Sequence, residues 1–336
     1  MMLNTFYKWV LLCVAVFTFS ELAAQTRRQQ LRARMDSALT ARYYRTPYDT
    51  NYVIRPEGKV TLKFRVNQTG NTFHAKGTVN DTYSKTDLST SRKTTLSVGA
   101  TYRGMAAAIV LNPDKISGIY KDFELNLNYY SSRISLDFSY QRSESLSGDI
   151  RRGDKVGRME TGDLKMNMVN FAGYYTFNHR HFSYPAAFNQ SFIQRRSAGS
   201  WLAGISYQGG SIKTCDALKE RNPDAPDVRI YLGHVGIGGG YGYNWLIGKK
   251  WLLHFSMLPT VVVYNRNNLT INGERKKAKH VRVNMIFNER AAIVHNFSSR
   301  YFAGASLVMN NSIFDDNAVV INQNKWRARA FFGIRL

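Results

Sequence analysis

The last eleven residues of the chain, 326–336, alternate strictly between two faces. One face is wholly apolar and consists of Trp326, Ala328, Ala330, Phe332, Ile334 and Leu336. The other face carries Arg327, Arg329, Phe331, Gly333 and Arg335. Only a β-strand points alternate side chains to opposite faces. A terminal strand of this kind predicts the closing strand of an outer-membrane β-barrel, in which one face meets lipid and the other faces the lumen.

The N-terminus predicts export. Lys8 precedes an apolar run over residues 9–19, and Ala23 and Ala24 are small residues suited to cleavage before Gln25. These features are typical of a secretory signal peptide, here residues 1–24. The run of about eleven apolar residues is shorter than the roughly 20 that a membrane-spanning helix needs. We therefore expect the mature chain to be exported and placed in the bacterial outer membrane by the barrel-insertion machinery.

The composition agrees with a barrel and indicates its partners. The chain contains 20 Tyr and 19 Phe but only 7 Pro, and its formal net charge is +23. Many aromatic residues and few prolines suit a chain of β-strands with aromatic girdles. In a cytosolic protein this charge would indicate nucleic acid. In an exported protein it favours anionic partners in the envelope, so we expect outer-membrane lipids and lipopolysaccharide, and no nucleic acid.

The stretch between the signal peptide and the barrel, residues 25–57, is predicted to be a periplasmic helix and linker. Apolar residues recur at every fourth position from Leu31 to Tyr43, among several arginines, which predicts a basic helix over residues 25–45. Such a helix either packs at the periplasmic mouth of the barrel or lies on the membrane surface. The barrel domain then extends over residues 58–336.

From residue 58 the apolar pattern has a period of two, in runs of about 8 to 12 residues, the length of a tilted strand that crosses a bilayer. Clear examples are Phe123–Tyr129, Ile134–Tyr140, Trp201–Tyr207, Val235–Trp245, Trp251–Met257 and Tyr301–Met309. Short turns alternate with long polar stretches, which are Asn80–Ser91, Arg142–Gly162, Gly209–Asp227, Arg266–Lys279 and Asn310–Asn324. The predicted fold class is all-β, a transmembrane antiparallel up-and-down β-barrel with a short N-terminal helix.

The alternation of turns and loops also constrains the number of strands. The pattern gives thirteen candidate strands, with the first, Val60–Val66, separate from the next, Thr72–Val79. If both chain ends lie at the periplasmic rim, the number must be even. Either Val60–Val66 lies outside the closed sheet, which gives twelve strands, or Tyr43–Ile54 contains another strand, which gives fourteen. We expect twelve.

One long segment, 178–199, lies on the side of the short turns and has a distinctive sequence. It contains Asn178-His179-Arg180-His181-Phe182-Ser183-Tyr184-Pro185-Ala186-Ala187-Phe188, and then Gln194-Arg195-Arg196-Ser197-Ala198-Gly199-Ser200-Trp201. Together with Tyr48-Asp49-Thr50-Asn51-Tyr52-Val53 and Tyr102-Arg103-Gly104, it resembles the domain-of-unknown-function family 4421, an uncharacterised Bacteroidetes-type family. The resemblance implies an exported outer-membrane barrel from about Tyr43 to Leu336. It implies no activity.

The candidate chemistry within this segment is weak. His179 and His181 share a face on a strand, but two histidines without a nearby carboxylate or cysteine do not make a typical metal site. Ser183 or Ser197 with His181 would be the polar pair of a lipid hydrolase, yet no spacing selects them. We therefore expect no enzyme activity, no metal and no cofactor.

The polar faces of the strands give the only functional candidates. If the apolar faces meet lipid, cations outnumber anions in the lumen, and a basic lumen favours anionic solutes if water fills it. The lumen selectivity candidates are Arg65, Arg133, Arg282, Arg327, Arg329 and Arg335. The anion-binding candidates in an external loop are Arg151, Arg152, Lys155 and Arg158.

Two functions follow from these candidates. The first is a narrow channel or transporter for small anionic or hydrophobic solutes. The second is a non-transporting structural or envelope-interaction barrel, whose lumen is plugged by its own side chains and whose basic loops bind lipopolysaccharide or a partner.

Overall fold

The computed structural model describes residues 29–31, 33–35, 37, 38, 41, 47–56, 58, 60–79, 82–102, 105–111, 122–277, 284–315 and 319–336. The chain divides into two compact units, residues 1–46 and 47–336. In the first unit the described residues between 29 and 41 are helical, as their four-residue periodicity predicts. Among the described helices, none has the length and apolar character needed to cross a bilayer.

The second unit consists mostly of β-strands. They are β1 (Val53–Ile54), β2 (Val60–Val79), β3 (Thr82–Thr90), β4 (Lys93–Tyr102), β5 (Met105–Leu111), β6 (Phe123–Tyr130), β7 (Ile134–Ser143), β8 (Leu146–Arg152), β9 (Lys155–Met159), β10 (Leu164–Thr176), β11 (Ile193–Gln194), β12 (Ala198–Thr214), β13 (Val228–Ile247), β14 (Trp251–Asn265), β15 (Asn268–Ile271), β16 (Glu274–Lys277), β17 (Met285–Asn296), β18 (Tyr301–Asp315) and β19 (Val319–Arg335). Two short helices are α1 (Tyr184–Phe188) and α2 (Asp216–Arg221).

Twelve of the described strands form one continuous antiparallel wall. Its hydrogen-bonded order is β5–β4–β2–β19–β18–β17–β14–β13–β12–β10–β7–β6. The wall curls so that its last strand meets strands near its beginning: Thr69 on β2 donates a 2.9 Å hydrogen bond to Glu124 on β6, and Lys325 on β19 lies 3.3 Å from the same carboxylate. This arrangement confirms the predicted up-and-down barrel.

The twelve strands arise differently from the prediction. Val60–Val66 and Thr72–Val79 are not two strands, because β2 is one uninterrupted strand that pairs with β19 from Thr61–Arg335 to Gly77–Val319. The polar residues between the two apolar runs suggested a turn. Asn67, Thr69 and Asn71 are buried in the barrel interior, where polar side chains are normal. The first strand therefore lies in the sheet, and the expectation that it lies outside is wrong.

Four of the predicted long loops are largely extensions of the sheet. β3 pairs with β2 and β8, and β8 pairs with β9, beyond the end of the wall strands. The β15–β16 hairpin extends the sheet beside the start of β13, and β18 and β19 continue as paired strands to Asp315 and Val320. We call this end of the barrel the hairpin end.

The opposite end, here the turn end, carries the short connections. Residues 131–133, 248–250 and 297–300 join neighbouring strands there, and Leu336 pairs with Val60 through two backbone hydrogen bonds of 2.8 and 3.0 Å. Short turns face the periplasm in barrels of this type, so we assign the turn end to the periplasmic side.

Apolar side chains cover the outside of the wall. Val98, Trp201 and Phe255 are 60%, 69% and 61% exposed, and the same outward face carries further large apolar residues on nearly every strand. Soluble proteins rarely expose apolar surface on this scale. The wall therefore meets lipid, and the chain is an outer-membrane β-barrel.

The inside is packed in three layers. An apolar cluster at the turn end includes Phe182, Tyr184, Leu252, Phe302 and Phe331. A second apolar cluster, nearer the hairpin end, is formed by Phe73, Leu88, Leu146, Leu164, Met166, Met168, Ile212 and Leu232. Between them lie polar side chains that contact one another across the lumen.

Candidate functional site: a plugged lumen

Residues 178–197, which connect β10 to β12, form a plug that fills the lumen at the turn end. At its centre is α1, and all five residues of this helix are buried. The sequence explains this local fold, because Ser183 caps the helix by accepting a 3.2 Å hydrogen bond from the Ala186 N–H, and Pro185 stands in the first turn, where it costs no hydrogen bond. The exceptional length of this connection is therefore the length of the plug.

The plug is tied to the wall by polar contacts. Asn244 on β13 donates hydrogen bonds of 3.0 Å to the main-chain oxygen of Ser183 and 2.9 Å to Oε1 of Gln194. Its own Oδ1 lies 2.7 Å from Nδ1 of His254 on β14. Lys63 on β2 donates to the main-chain oxygen of Asn189 at the end of α1. Polar contacts from β2 and β13, with β14 supporting Asn244, thus hold the plug.

Aromatic packing completes the seal. The His254 ring lies 5.8, 5.1 and 5.0 Å from the ring centroids of Phe182, Tyr184 and Phe188. Phe188 also packs against Tyr130 on β6, with 5.5 Å between centroids. The plug aromatics thus contact the wall on two sides, at His254 on β14 and at Tyr130 on β6.

Residues 47–54, here called the lid, lie against the plug. Val53 and Gln194 pair in the two-stranded β1–β11 sheet, and Tyr48 packs its ring edge against Phe192 at 4.9 Å. Ser183 donates a 3.1 Å hydrogen bond to the Tyr48 hydroxyl. Burial raises the pKa of Tyr48 well above its usual range, so it is a neutral phenol that accepts from Ser183.

The structure does not bring the predicted hydrolase residues together. Ser183 is committed to the cap and to Tyr48, and Ser197 accepts a 2.9 Å hydrogen bond from the Leu246 N–H. His181 lies 3.5 Å from Asp49, whose pKa is lowered first by a backbone hydrogen bond from Asn51. Among the described residues there is no group of three His, Cys, Asp or Glu that could hold a metal.

Four of the predicted lumen arginines lie on β2 and β19, and their surroundings differ. Arg329 donates a 2.7 Å hydrogen bond to Asn67, and Arg327 borders the polar middle layer. Arg335 contacts the Asn296 side chain at 3.0 Å and lies over the Phe302 ring at 4.3 Å, so it supports a turn. Arg65 is half-buried on the inward face of β2.

The other two lumen candidates have different outcomes. Arg133 is exposed in the turn between β6 and β7, so its assignment to the lumen is wrong. Arg133 stands one residue before β7 and fits the alternation of that strand in the sequence, although the strand begins only at Ile134. Arg282 lies outside the described residues.

The central charged group of the lumen was missed by sequence reasoning. Arg290 on β17 is buried and forms an ion pair with Asp137 on β7, on the opposite side of the barrel. Asp137 also accepts hydrogen bonds from Tyr130 at 2.7 Å and Tyr174 at 3.0 Å. The alternation in the sequence could have found Arg290, because it lies an even number of residues from the candidate Arg282 along the same alternating stretch.

Other contacts cross the middle layer. Gln208 on β12 donates a 2.9 Å hydrogen bond to Gln323 on β19, and Asn288 on β17 donates a 2.7 Å bond to Ser206 on β12. A cavity of about 30 Å³ remains, which is room for roughly one or two molecules the size of water. It is lined by Asn126, Asn128, Asp137, Phe138, Ser139, Asn170, Phe171, Ala172, Val308, Asn310, Lys325, Trp326 and Arg327.

The external anion-binding candidates lie on the β8–β9 hairpin, and all four are exposed. Arg151 and Arg152 are neighbours on β8 and therefore point to opposite faces of the sheet. Arg152 is paired with Lys155, whereas Asp149 is paired with Arg158. The hairpin thus divides these cations between two surfaces.

Comparison with known proteins places this architecture in a family. The model of the family described as a domain of unknown function, DUF4421, matches residues 47–335, from the start of the lid to the end of β19. The chain belongs to the DUF4421 family. The resemblance of the 178–201 segment is therefore confirmed, and in this DUF4421 chain most of that segment is the plug.

Several solved structures of outer-membrane proteins resemble the DUF4421 chain. The outer membrane protease OmpT from Escherichia coli matches with a TM-score of 0.40 and 6% identity, over 87% of this chain and 100% of that one. The outer membrane protein OprG from Pseudomonas aeruginosa gives 0.28 and 10%, over 84% and 98%. The P. putida toluene transporter TodX gives 0.26 and 9%, over 84% and 91%. No curated protein sequence matches the chain. At such scores the likenesses carry no inference about activity.

Proposed function

We propose that this protein is a closed, non-transporting outer-membrane barrel that acts through its envelope-facing surfaces. The observation that carries the proposal is the plug, whose α1 helix fills the lumen and is held by Asn244, Lys63 and His254 from separate wall strands. A solute-sized path would require these hydrogen bonds and the aromatic cluster to separate together. Protein interiors are close-packed and do not yield such space by small adjustments.

The middle layer supports the same function. Breaking the buried ion pair between Arg290 and Asp137 would leave an uncompensated charge, which is strongly unfavourable. The hydrogen bonds from Tyr130 and Tyr174 to the same carboxylate bind further strands to this network. The lumen polar groups therefore act as internal cross-links of the barrel.

A second candidate function is a gated channel for small anionic solutes. The observation that favours it is a series of inward cations along two neighbouring strands, formed by Lys63, Arg65, Arg329, Arg327 and Lys325. Among the described residues, the side chains of Arg65 and Arg327 have no ion-pair partner, whereas Lys325 pairs with Glu124. In this alternative the plug is the closed gate, and the cations select the solute.

Planar-bilayer recording of the refolded full-length protein separates the two functions. We expect the wild-type protein to show no stepwise conductance, and a variant in which residues 182–188 are replaced by glycine and serine to conduct. As a matched control, the same replacement in residues 152–158 of the β8–β9 hairpin leaves the plug intact and should stay silent. Spontaneous anion-selective steps in the wild-type protein that change sign of selectivity in R327E/R329E would overturn the closed barrel and establish the channel.

The proposal includes no enzymatic step. Ser183 and Ser197 are each engaged in hydrogen bonds to groups other than His181. Phospholipid micelles incubated with the protein should therefore remain intact. Hydrolysis that is lost in His181→Ala, but kept in the neighbouring control His179→Ala, would contradict this part of the proposal.

A further inference from the structure

Three cations lie directly opposite one another on the extended sheet at the hairpin end. Lys76 on β2 is paired with Lys85 on β3, and Lys85 is paired with Arg151 on β8. All three side chains are exposed. Opposite residues in a ladder have Cβ atoms about 4.5–5.5 Å apart, where like charges are destabilising. We call these residues the outer cation row.

The row lies on the lipid-facing side of the sheet, above the apolar surface. Lys76 is an even number of residues from Leu62 and Phe64 along β2, so its side chain points to the same face as theirs. Leu62 and Phe64 are 41% and 48% exposed on the outside of the wall. Trp326 is paired with Gly70 and packs over it, and an outward tryptophan is typical of a membrane interface. The six residues from Gly70 to Lys76 rise about 20 Å along the strand, or about 15 Å along the normal for a strand tilted near 40°.

The charges around the row leave it positive. Asp87 and Asp149 are paired with each other one row nearer the barrel, beside His74 and Arg158. Asp87 lies 2.7 Å from both Lys85 and His74. With the row itself, four lysines and arginines face two carboxylates on this surface, so an excess of positive charge remains.

The other cations of the same hairpin do not share this surface. Arg152 lies on the same face of β8 as Leu146, which is buried in the interior cluster, and Lys155 on β9 is paired with Arg152. They therefore lie on the inner face of the extension. This gives a matched set of charges on the same hairpin that should not meet the outer leaflet.

We propose that the outer cation row binds the phosphate groups of glycolipids of the lipopolysaccharide class in the outer leaflet. Three strands spaced about 4.8 Å apart present charges over about 10 Å, which suits a headgroup carrying more than one phosphate. Arg151 supplies a planar fork for a phosphate, and the two lysines supply point charges. The proposal rests on the proposed function, because it gives the envelope-facing surface a ligand.

The test uses the full-length protein folded in detergent micelles and fluorescently labelled lipopolysaccharide, with chemically dephosphorylated lipopolysaccharide as the competing probe. We expect the wild-type protein to prefer the phosphorylated form and K76Q/K85Q/R151Q to lose that preference, with affinity reduced tenfold or more. The control R152Q/K155Q/K219Q removes the same number of charges, two from the inner face of the hairpin and one from an exposed position of α2, and should bind like the wild-type protein.

The outcomes separate the site from general electrostatics and from folding. Equal losses in the two triple variants, or equal wild-type affinity for both lipid forms, overturn the proposal. Single variants Lys85→Gln and Lys155→Gln repeat the comparison if a triple variant does not give the heat-modifiable band of a folded barrel. A conducting wild-type protein would refute the closed lumen without changing this lipid comparison, so the two proposals fail independently.

Discussion

The side-chain amide of Asn244, on the inner face of β13, donates a 3.0 Å hydrogen bond to the main-chain oxygen of Ser183 in the plug. The same amide group bonds Gln194, and its oxygen contacts His254, so one fully buried residue joins the plug to two wall strands. A single side chain thus couples the closure of the lumen to the wall.

Replacement of Asn244 by leucine should therefore loosen the plug. The change leaves the Ser183 carbonyl, the Gln194 amide oxygen and the His254 ring without their partner, at a cost of about 2–3 kcal/mol. We expect a lower free energy of unfolding in urea and brief conductance openings in planar bilayers. Asn322→Leu, on the exposed face of β19, is the control and should show neither. Identical behaviour of the two variants would mean that Asn244 does not hold the plug.

The Arg290–Asp137 pair should behave as a coupled unit. Arg290→Met alone leaves the Asp137 carboxylate with only neutral donors, the hydroxyls of Tyr130 and Tyr174 and the amide of Asn128. Removal of one partner of a buried ion pair costs about 3–5 kcal/mol. The double variant Arg290→Met with Asp137→Leu removes both charges and should be more stable than either single variant. A double-mutant cycle on urea unfolding measures this coupling. Additive losses would show that the two charges do not interact.

Gly242 should tolerate no side chain, because a Cβ there would lie 3.0 Å from both Phe182 of the plug and Ser256 of the wall. Gly242→Val is expected to overpack this contact and cost about 1–3 kcal/mol. Gly239→Val is the matched change on the outward face of the same strand, where the nearest atom is 3.4 Å from the added Cβ. The heat-modifiable band of the folded barrel should be lost at a lower temperature for Gly242→Val than for Gly239→Val. Equal midpoint temperatures for the two variants would show that the plug does not pack against Gly242.

The wall was predictable because one physical rule governs it. Alternation puts Arg327 and Arg329 inside and Phe332 outside, and the same rule applies to every strand that meets lipid on one face only. The rule gave a wrong prediction between Val66 and Thr72, where the polar residues of a continuous strand were interpreted as a turn. It also extended too far at Arg133, which lies in a turn.

The plug could not be predicted in this way. Residues 178–197 have no sustained period, and their positions depend on contacts with distant residues such as Asn244 and Lys63. Ser183 as a helix cap and Pro185 in the first turn do predict a short helix. Nothing local shows that this helix points into the lumen, since a helix on the periplasmic surface would have the same cap.

The last prediction concerns Asp87, which moderates the outer cation row. Hydrogen bonds from Lys85 and then from His74 lower the pKa of Asp87, so it is a carboxylate at neutral pH. Asp87→Asn removes this negative charge and leaves Lys85 available to a lipid phosphate. We expect binding of phosphorylated lipopolysaccharide to tighten about two- to fivefold, the range of an exposed charge pair. Asp216→Asn, on α2, makes the same change in net charge at an exposed site away from the row. If both variants gain affinity equally, net charge alone accounts for the binding and the row has no special part in it.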